Sequence, residues 1–176
     1  MKKIIGITLL ALCCGMHVPA SAQGTSTTTT VAQPTPQKIE AASAGELKTF
    51  RAYGARAALF IASYVPAAKQ PTLADADEAF RLWQQDTRKR RASEKEVVEM
   101  LGAFLGAKLA ADFGMEWVVV TDENGRDYAV RANKHEALAY PFASVEKRID
   151  NRSHGFLQGI HDAVQELMES GEAKAR

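Results

Sequence analysis

Beyond position 14 the chain has no cysteine, because its two cysteines, Cys13 and Cys14, both fall in an apolar run near the N-terminus. If that run is removed on export, disulfides, thiolate nucleophiles and cysteine metal sites are excluded together. An excess of one charge is also missing. Taking Lys2 and Lys3 from the 22 basic side chains leaves 20 against 21 acidic ones, a net charge of about −1 with no electrostatic footprint for nucleic acid. No glycine-rich phosphate loop, dinucleotide fingerprint or His-Glu-x-x-His segment is present, and Ser63, Ser144, Ser153 and Ser170 lack a nucleophile-elbow setting. Long hydrophobic runs are lacking too: Ile4 to Cys14 is about eleven residues, against the roughly 20 that a membrane-crossing helix needs.

What is there begins with export. Lys2 and Lys3, the apolar run, and small residues at Ala20 and Ala22 form a secretory signal peptide over residues 1–22, with cleavage near Ala22 and a periplasmic or secreted destination. No transmembrane segment is expected in the mature chain. A lipid anchor is disfavoured, since Leu12 rather than a small residue precedes Cys13. Residues 23–37, with a threonine run, Pro34 and Pro36, have almost nothing to bury and are expected to form a disordered tether. The remainder has the length of one domain.

The densest run of signals lies at residues 93–131. Ser93 with Glu96 is a capping box, Val98, Leu101, Leu105, Leu109 and Phe113 recur at helical spacing, and Gly114 supplies the left-handed stop, so a helix is predicted over 94–113. Met115, Trp117, Val119 and Thr121 then alternate with their neighbours, Asp122-Glu123-Asn124-Gly125 carries turn chemistry, and Tyr128 and Val130 resume the alternation. This is a helix feeding a β-hairpin. Gly102 and Gly106, four residues apart, expose bare backbone for close approach of another helix or of the sheet. A membrane dimerisation reading fails, because Glu99, Lys108 and Asp112 interrupt the segment.

Upstream, an apolar stripe of Leu47, Phe50, Tyr53, Ala57, Phe60, Ile61 and Tyr64 predicts an N-terminal helix over 38–64, ended by Val65-Pro66. Thr72 or Asp75 can cap a second helix that buries Phe80, Leu82 and Trp83 and carries Arg88 to Arg91 in its last turn, where cations complement the helix dipole. Downstream, Ala137 to Tyr140 suggests a short third strand, and Pro141 starts a helix through Ile149 built on Phe142, Val145 and Ile149. Ser153 caps a final helix with a stripe of Phe156, Ile160, Val164, Leu167 and Met168, up to Gly171. The fold class is therefore α+β, helices packed on a small antiparallel sheet in the order α-α-α-β-β-(β)-α-α, with the N-terminal helix at 38–66 and an α+β domain over 72–170.

The succession of Gly102, Gly106, Gly114, Trp117, Asp122, Gly125, Pro141, Lys147 and Arg148, with Leu101, Leu105, Val118 to Thr121, Ala129, Val130, Phe142 and Val145 between them, resembles the bacterial family known as domain of unknown function 3806. The resemblance covers about residues 75–168. It implies a compact α+β unit with helices before and after a small antiparallel sheet, and no activity. Asn124 departs from the family pattern, in which an aromatic residue is expected, and implies a different turn type.

Read for chemistry, Asp122, Glu123 and Asp127 near the hairpin lack the alternating ligand order of a calcium loop, and Asp122 is expected to accept backbone amides of the turn. His154 and His161 lie two turns apart, but His161 is displaced from the apolar stripe and is expected in solvent. Arg148 is expected to brace against Asp122 or Glu116 in preference to capturing an external ligand, and Trp117 to sit in the core. No catalytic, cofactor or metal residues are assigned. The leading expectation is an exported, non-enzymatic binding or interaction protein with a protein partner, of which an immunity or inhibitor protein is one form. The alternatives are a hydrolase with a dispersed site at Asp122, His135 and Ser144, and a structural or stress-related envelope protein that docks through Phe50, Tyr53 and Phe60 of the first helix.

Overall fold

The computed structural model describes residues 37–132 and 137–174. The expected signal peptide, the tether through residue 36 and His135 lie outside the described residues. The described chain runs β1 Lys38–Ala41, α1 Ala44–Tyr64, α2 Leu73–Gln85, α3 Glu94–Phe113, β2 Glu116–Asp122, β3 Gly125–Ala132, β4 Ala137–Ala139, α4 Pro141–Asp150 and α5 Leu157–Lys174. Five helices and a four-stranded antiparallel sheet in the order β1-β2-β3-β4 make an α+β fold, as the sequence predicts. No helix among the described residues is long and apolar enough to cross a membrane.

Helix α3 is the central element. Its N-cap Ser93 and Glu96 bond reciprocally, and Gly114 ends it at φ 63°. Val97, Leu101, Leu105 and Leu109 are fully buried, together with Ala103, so the helix is enclosed on more than one side. The two glycines explain how. A Cβ on Gly102 would stand 2.9 Å from the Cα of Phe142 on α4, and one on Gly106 would collide with the Trp117 indole on β2. Helix and sheet thus approach the bare backbone of α3 from two directions, as their spacing implies. Phe50 of α1 completes the contact, its ring centroid 4.5 Å from that of Trp117 and 5.4 Å from that of Phe142.

The hairpin forms as read. Asp122 pairs with Gly125 across a two-residue loop, and Asp122 Oδ1 accepts the Asn124 amide at 2.7 Å. Trp117, half-buried, and Val130 face the helices, while Val118, Val120 and Ala129 form a smaller cluster on the opposite face with Ile39, Leu138 and Tyr140.

Four expectations require correction. Residues 38–41 are a strand and not the start of the N-terminal helix: Ile39 pairs with Val120, Ala42 N donates to Trp117 O at 3.0 Å, and α1 begins only after Ser43, whose reciprocal bonds with Glu46 form a capping box. The basic run 88–91 follows α2, which ends at Gln85 with Asp86 as its cap. The last helix is capped from a distance and not by Ser153. Asp77 on α2 accepts the amides of Phe156 at 2.8 Å, Leu157 at 2.9 Å and Gln158 at 3.0 Å. One carboxylate thereby satisfies three of the donors that a helix start leaves open. The face of α1 offered for docking is not free either, since Phe50 and Phe60 are buried in the protein's own core and Tyr53 is half-buried.

The glycine contacts make a signed prediction. Gly102→Ala and Gly106→Ala each lower stability by about 1–3 kcal/mol through overpacking. Gly159→Ala on α5, where an added Cβ meets nothing within 4 Å, raises it by about 0.5–1 kcal/mol through helix propensity. Urea denaturation of the three variants checks the opposite signs.

Candidate functional site

The sequence-derived residues fall in three places. Gly102, Gly106, Trp117 and Pro141 belong to the packing seam of α3, with Pro141 buried at the first position of α4. Asp122 and Gly125 belong to the hairpin turn, where Gly125 has φ 122°. Lys147 is exposed in the last turn of α4. The expected brace is not formed: Arg148 makes no ion pair among the described residues, and its guanidinium lies over the Phe156 ring, 5.2 Å from the centroid. An aromatic face satisfies the planar cation there in place of a carboxylate. His161 is also not in solvent. Its side chain is 15% exposed, with Nε2 3.0 Å from Asp112 Oδ2 and the ring 4.7 Å from that of Phe113. Of the residues named for a dispersed hydrolase, Asp122 serves the turn and Ser144 stands on α4 with no side-chain hydrogen bond among the described residues. Among the described residues, no group of three or more His, Cys, Asp or Glu is placed to hold a metal ion.

A site that the sequence reading did not name lies between the C-terminal end of α2, the loop after it, and the end of α4. It is a groove of about 410 Å³ lined by Arg81, Gln84, Arg91, Glu94, Arg152 and His154, among others, over Trp83 and Ile149. Each cation has a distinct role. Arg81 is neutralised by Glu78, which accepts from Nε at 2.7 Å and from Nη2 at 2.5 Å. Arg91 turns back over the Trp83 ring, 4.8 Å from its centroid, and donates to the Trp83 carbonyl at 3.2 Å. The basic run thus serves the C-terminus of α2 by reaching back from the loop. Trp83 Nε1 in turn donates to Ala92 O at 2.8 Å, which fastens the loop that carries Arg91.

Arg152 is the unusual member. Ser153 N donates to Arg148 O at 3.1 Å and Arg152 N to Ile149 O at 3.2 Å, the pair of bonds of a Schellman motif closing α4. The motif's left-handed position normally takes glycine. Arg152 occupies it at φ 51°, the one non-glycine residue with positive φ among those described. Among the described residues neither Arg91 nor Arg152 has a carboxylate partner. The groove therefore presents two guanidiniums with donors to spare beside one lining carboxylate, Glu94. Such an arrangement can hold an oxyanion.

Charge elsewhere is used to join elements. Glu46 of α1 accepts from Ser43, from Arg126 of β3 and, at 3.1 Å, from the Tyr128 hydroxyl. The Ser43 hydroxyl, followed by the Arg126 guanidinium, pulls the Glu46 carboxyl from its ordinary 4.5 down to about 2. Asp86, chelated by Arg88 and bonded by the Tyr64 hydroxyl at 2.6 Å, is held well below the usual carboxylate range, with the guanidinium the larger cause. Folded carboxyls that titrate below their unfolded values contribute stability that is complete above about pH 4.5 and disappears as pH falls toward 2. Thermal unfolding between pH 5 and 2 is expected to show a falling midpoint, with a shallower fall in Glu46→Gln. An equal slope in that variant would show that the bridge from α1 to the hairpin has no part in acid stability.

Residues 75–158 match the family model described as Domain of unknown function (DUF3806), and no curated protein or solved structure matches the chain. The matched stretch runs from the first turn of α2 to the first residues of α5. It contains the glycine seam, the hairpin and every residue of the arginine groove, and it leaves out β1 and α1. Over Asp75 to Gln158 the chain is thus similar to the family Domain of unknown function (DUF3806).

Proposed function

We propose that the chain is an exported, non-enzymatic binding protein that receives acidic groups of a partner in the arginine groove. The observation that carries this reading is Arg152: a left-handed backbone costs about 1–2 kcal/mol for a residue with a side chain. Glycine would close α4 without that cost, so the arginine at this place is accounted for by what its guanidinium does beside Arg91. Trp83 stacking and the Trp83 carbonyl fix Arg91 in advance, which reduces the ordering cost of capture. An exposed acidic side chain on another protein is a partner of fitting chemistry, and an immunity or inhibitor protein is one concrete form. The N-terminal cations, short apolar run and Ala20-x-Ala22 site support export to a periplasmic or extracellular space.

Two measurements test the proposal. In an NMR titration of the ¹⁵N-labelled chain with citrate, shifts are expected to converge on Arg81, Arg91 and Arg152. Arg152→Gly is expected to weaken citrate binding about tenfold, the scale of one lost charged hydrogen bond, while raising the unfolding midpoint. Unchanged citrate affinity in Arg152→Gly, or shifts confined to other faces, would remove the groove as the site. For export, intact-mass measurement of the chain expressed with its N-terminus is expected to show processing after Ala22 in the exported fraction; a chain that keeps Met1 to Ala22 and stays with the producing cells contradicts it.

A further inference from the structure

A second concavity, about 330 Å³, opens between α1 and α3, separate from the arginine groove. Its walls are Leu47, Gly54, Phe104 and Ala107, and Phe50 and Trp117 also line it. Small residues create it. A Cβ on Gly54 would meet nothing within 4 Å, Ala103 and Ala107 project only methyl groups, and Gly106 lets the Trp117 indole lie against the α3 backbone. The volume is at the lower end of the range for small-molecule sites. Arg51 is the one charged side chain that lines it; it is exposed and, among the described residues, has no carboxylate partner. An apolar chamber with one unpaired guanidinium at its edge is complementary to a molecule that has one acid group on a hydrocarbon body.

We infer that the notch between α1 and α3 is a binding site for a small amphiphilic monocarboxylate, with its hydrocarbon against Phe104 and Trp117 and its carboxylate on Arg51. Aromatic and aliphatic walls supply affinity without direction, and the guanidinium supplies orientation through paired N–H donors. Neutral hydrocarbons of the same length enter the notch but gain nothing from Arg51. Each added methylene tightens binding about fourfold until the notch is full.

Octanoate, below its micellar concentration, is the probe. The chain has two tryptophans, and only Trp117 lines this notch, whereas Trp83 lines the arginine groove. In NMR titrations of the full chain, octanoate is expected to shift the Trp117 indole and the amides of Gly54, Ala103 and Ala107 and to leave the Trp83 indole in place. Hexanoate binds more weakly at the same residues. Gly54→Leu fills the notch from a helical position with open space around it, so it is expected to abolish octanoate binding without lowering the unfolding midpoint. Arg51→Gln, at an exposed position, keeps the fold, weakens octanoate about tenfold and leaves 1-octanol binding unchanged. No Trp117 shift at saturating octanoate, a shift that survives in Gly54→Leu, or an equal loss of octanol binding in Arg51→Gln overturns the inference. Citrate run on the same samples reports on the other groove, so either site can fail without the other.

Discussion

The fold depends on how closely two neighbours approach one helix. Gly102 and Gly106 remove the side chains that would otherwise hold Phe142 and Trp117 away from α3, so that α4 and the sheet both rest on its backbone. Phe50 then bridges the two aromatic rings from α1. Interiors packed to crystal-like density have no slack for an extra methyl group at such points. The position of α1, the sheet and α4 relative to one another follows from those two bare positions, and with it the notch that opens beside Gly106.

Most of this architecture was legible in local signals. The capping box at Ser93, the glycine stop at Gly114, the alternation through Val118 to Val120 and Pro141 at a helix start each describe backbone needs that neighbours in sequence meet, and the corresponding elements formed with nearly the expected bounds. What escaped the reading depends on distant partners. Ile39 has the apolar character a helix stripe would use, and only its pairing with Val120 makes it a strand. The signal for the correction was available nonetheless: Ser43 and Glu46 repeat the spacing of Ser93 and Glu96. Asp77 carried no such signal, because nothing in the second helix announces that its carboxylate will meet amides near residue 157.

The functional residues were less legible than the fold. Arg148, singled out for an ion pair, lies over the aromatic ring of Phe156, and among the described residues it pairs with neither expected carboxylate. Arg152, which no sequence signal singled out, closes a Schellman motif in a conformation that glycine adopts at less cost. The family match encloses this groove in one contiguous stretch, yet α1, which forms a wall of the apolar notch, stands outside it. The two concavities therefore differ in placement as well as in polarity: one lies within the matched stretch, the other between it and α1.

The cap that Asp77 places on α5 spans some 80 residues of chain, and β1 waits for β2 across a similar interval. Both closures join early segments to later ones, so each waits until some 80 further residues have been made. The Asp77 cap waits for the start of the last helix, and long-range closures of this kind slow folding. A molecule with that wiring closes late, when segments far apart along the thread meet.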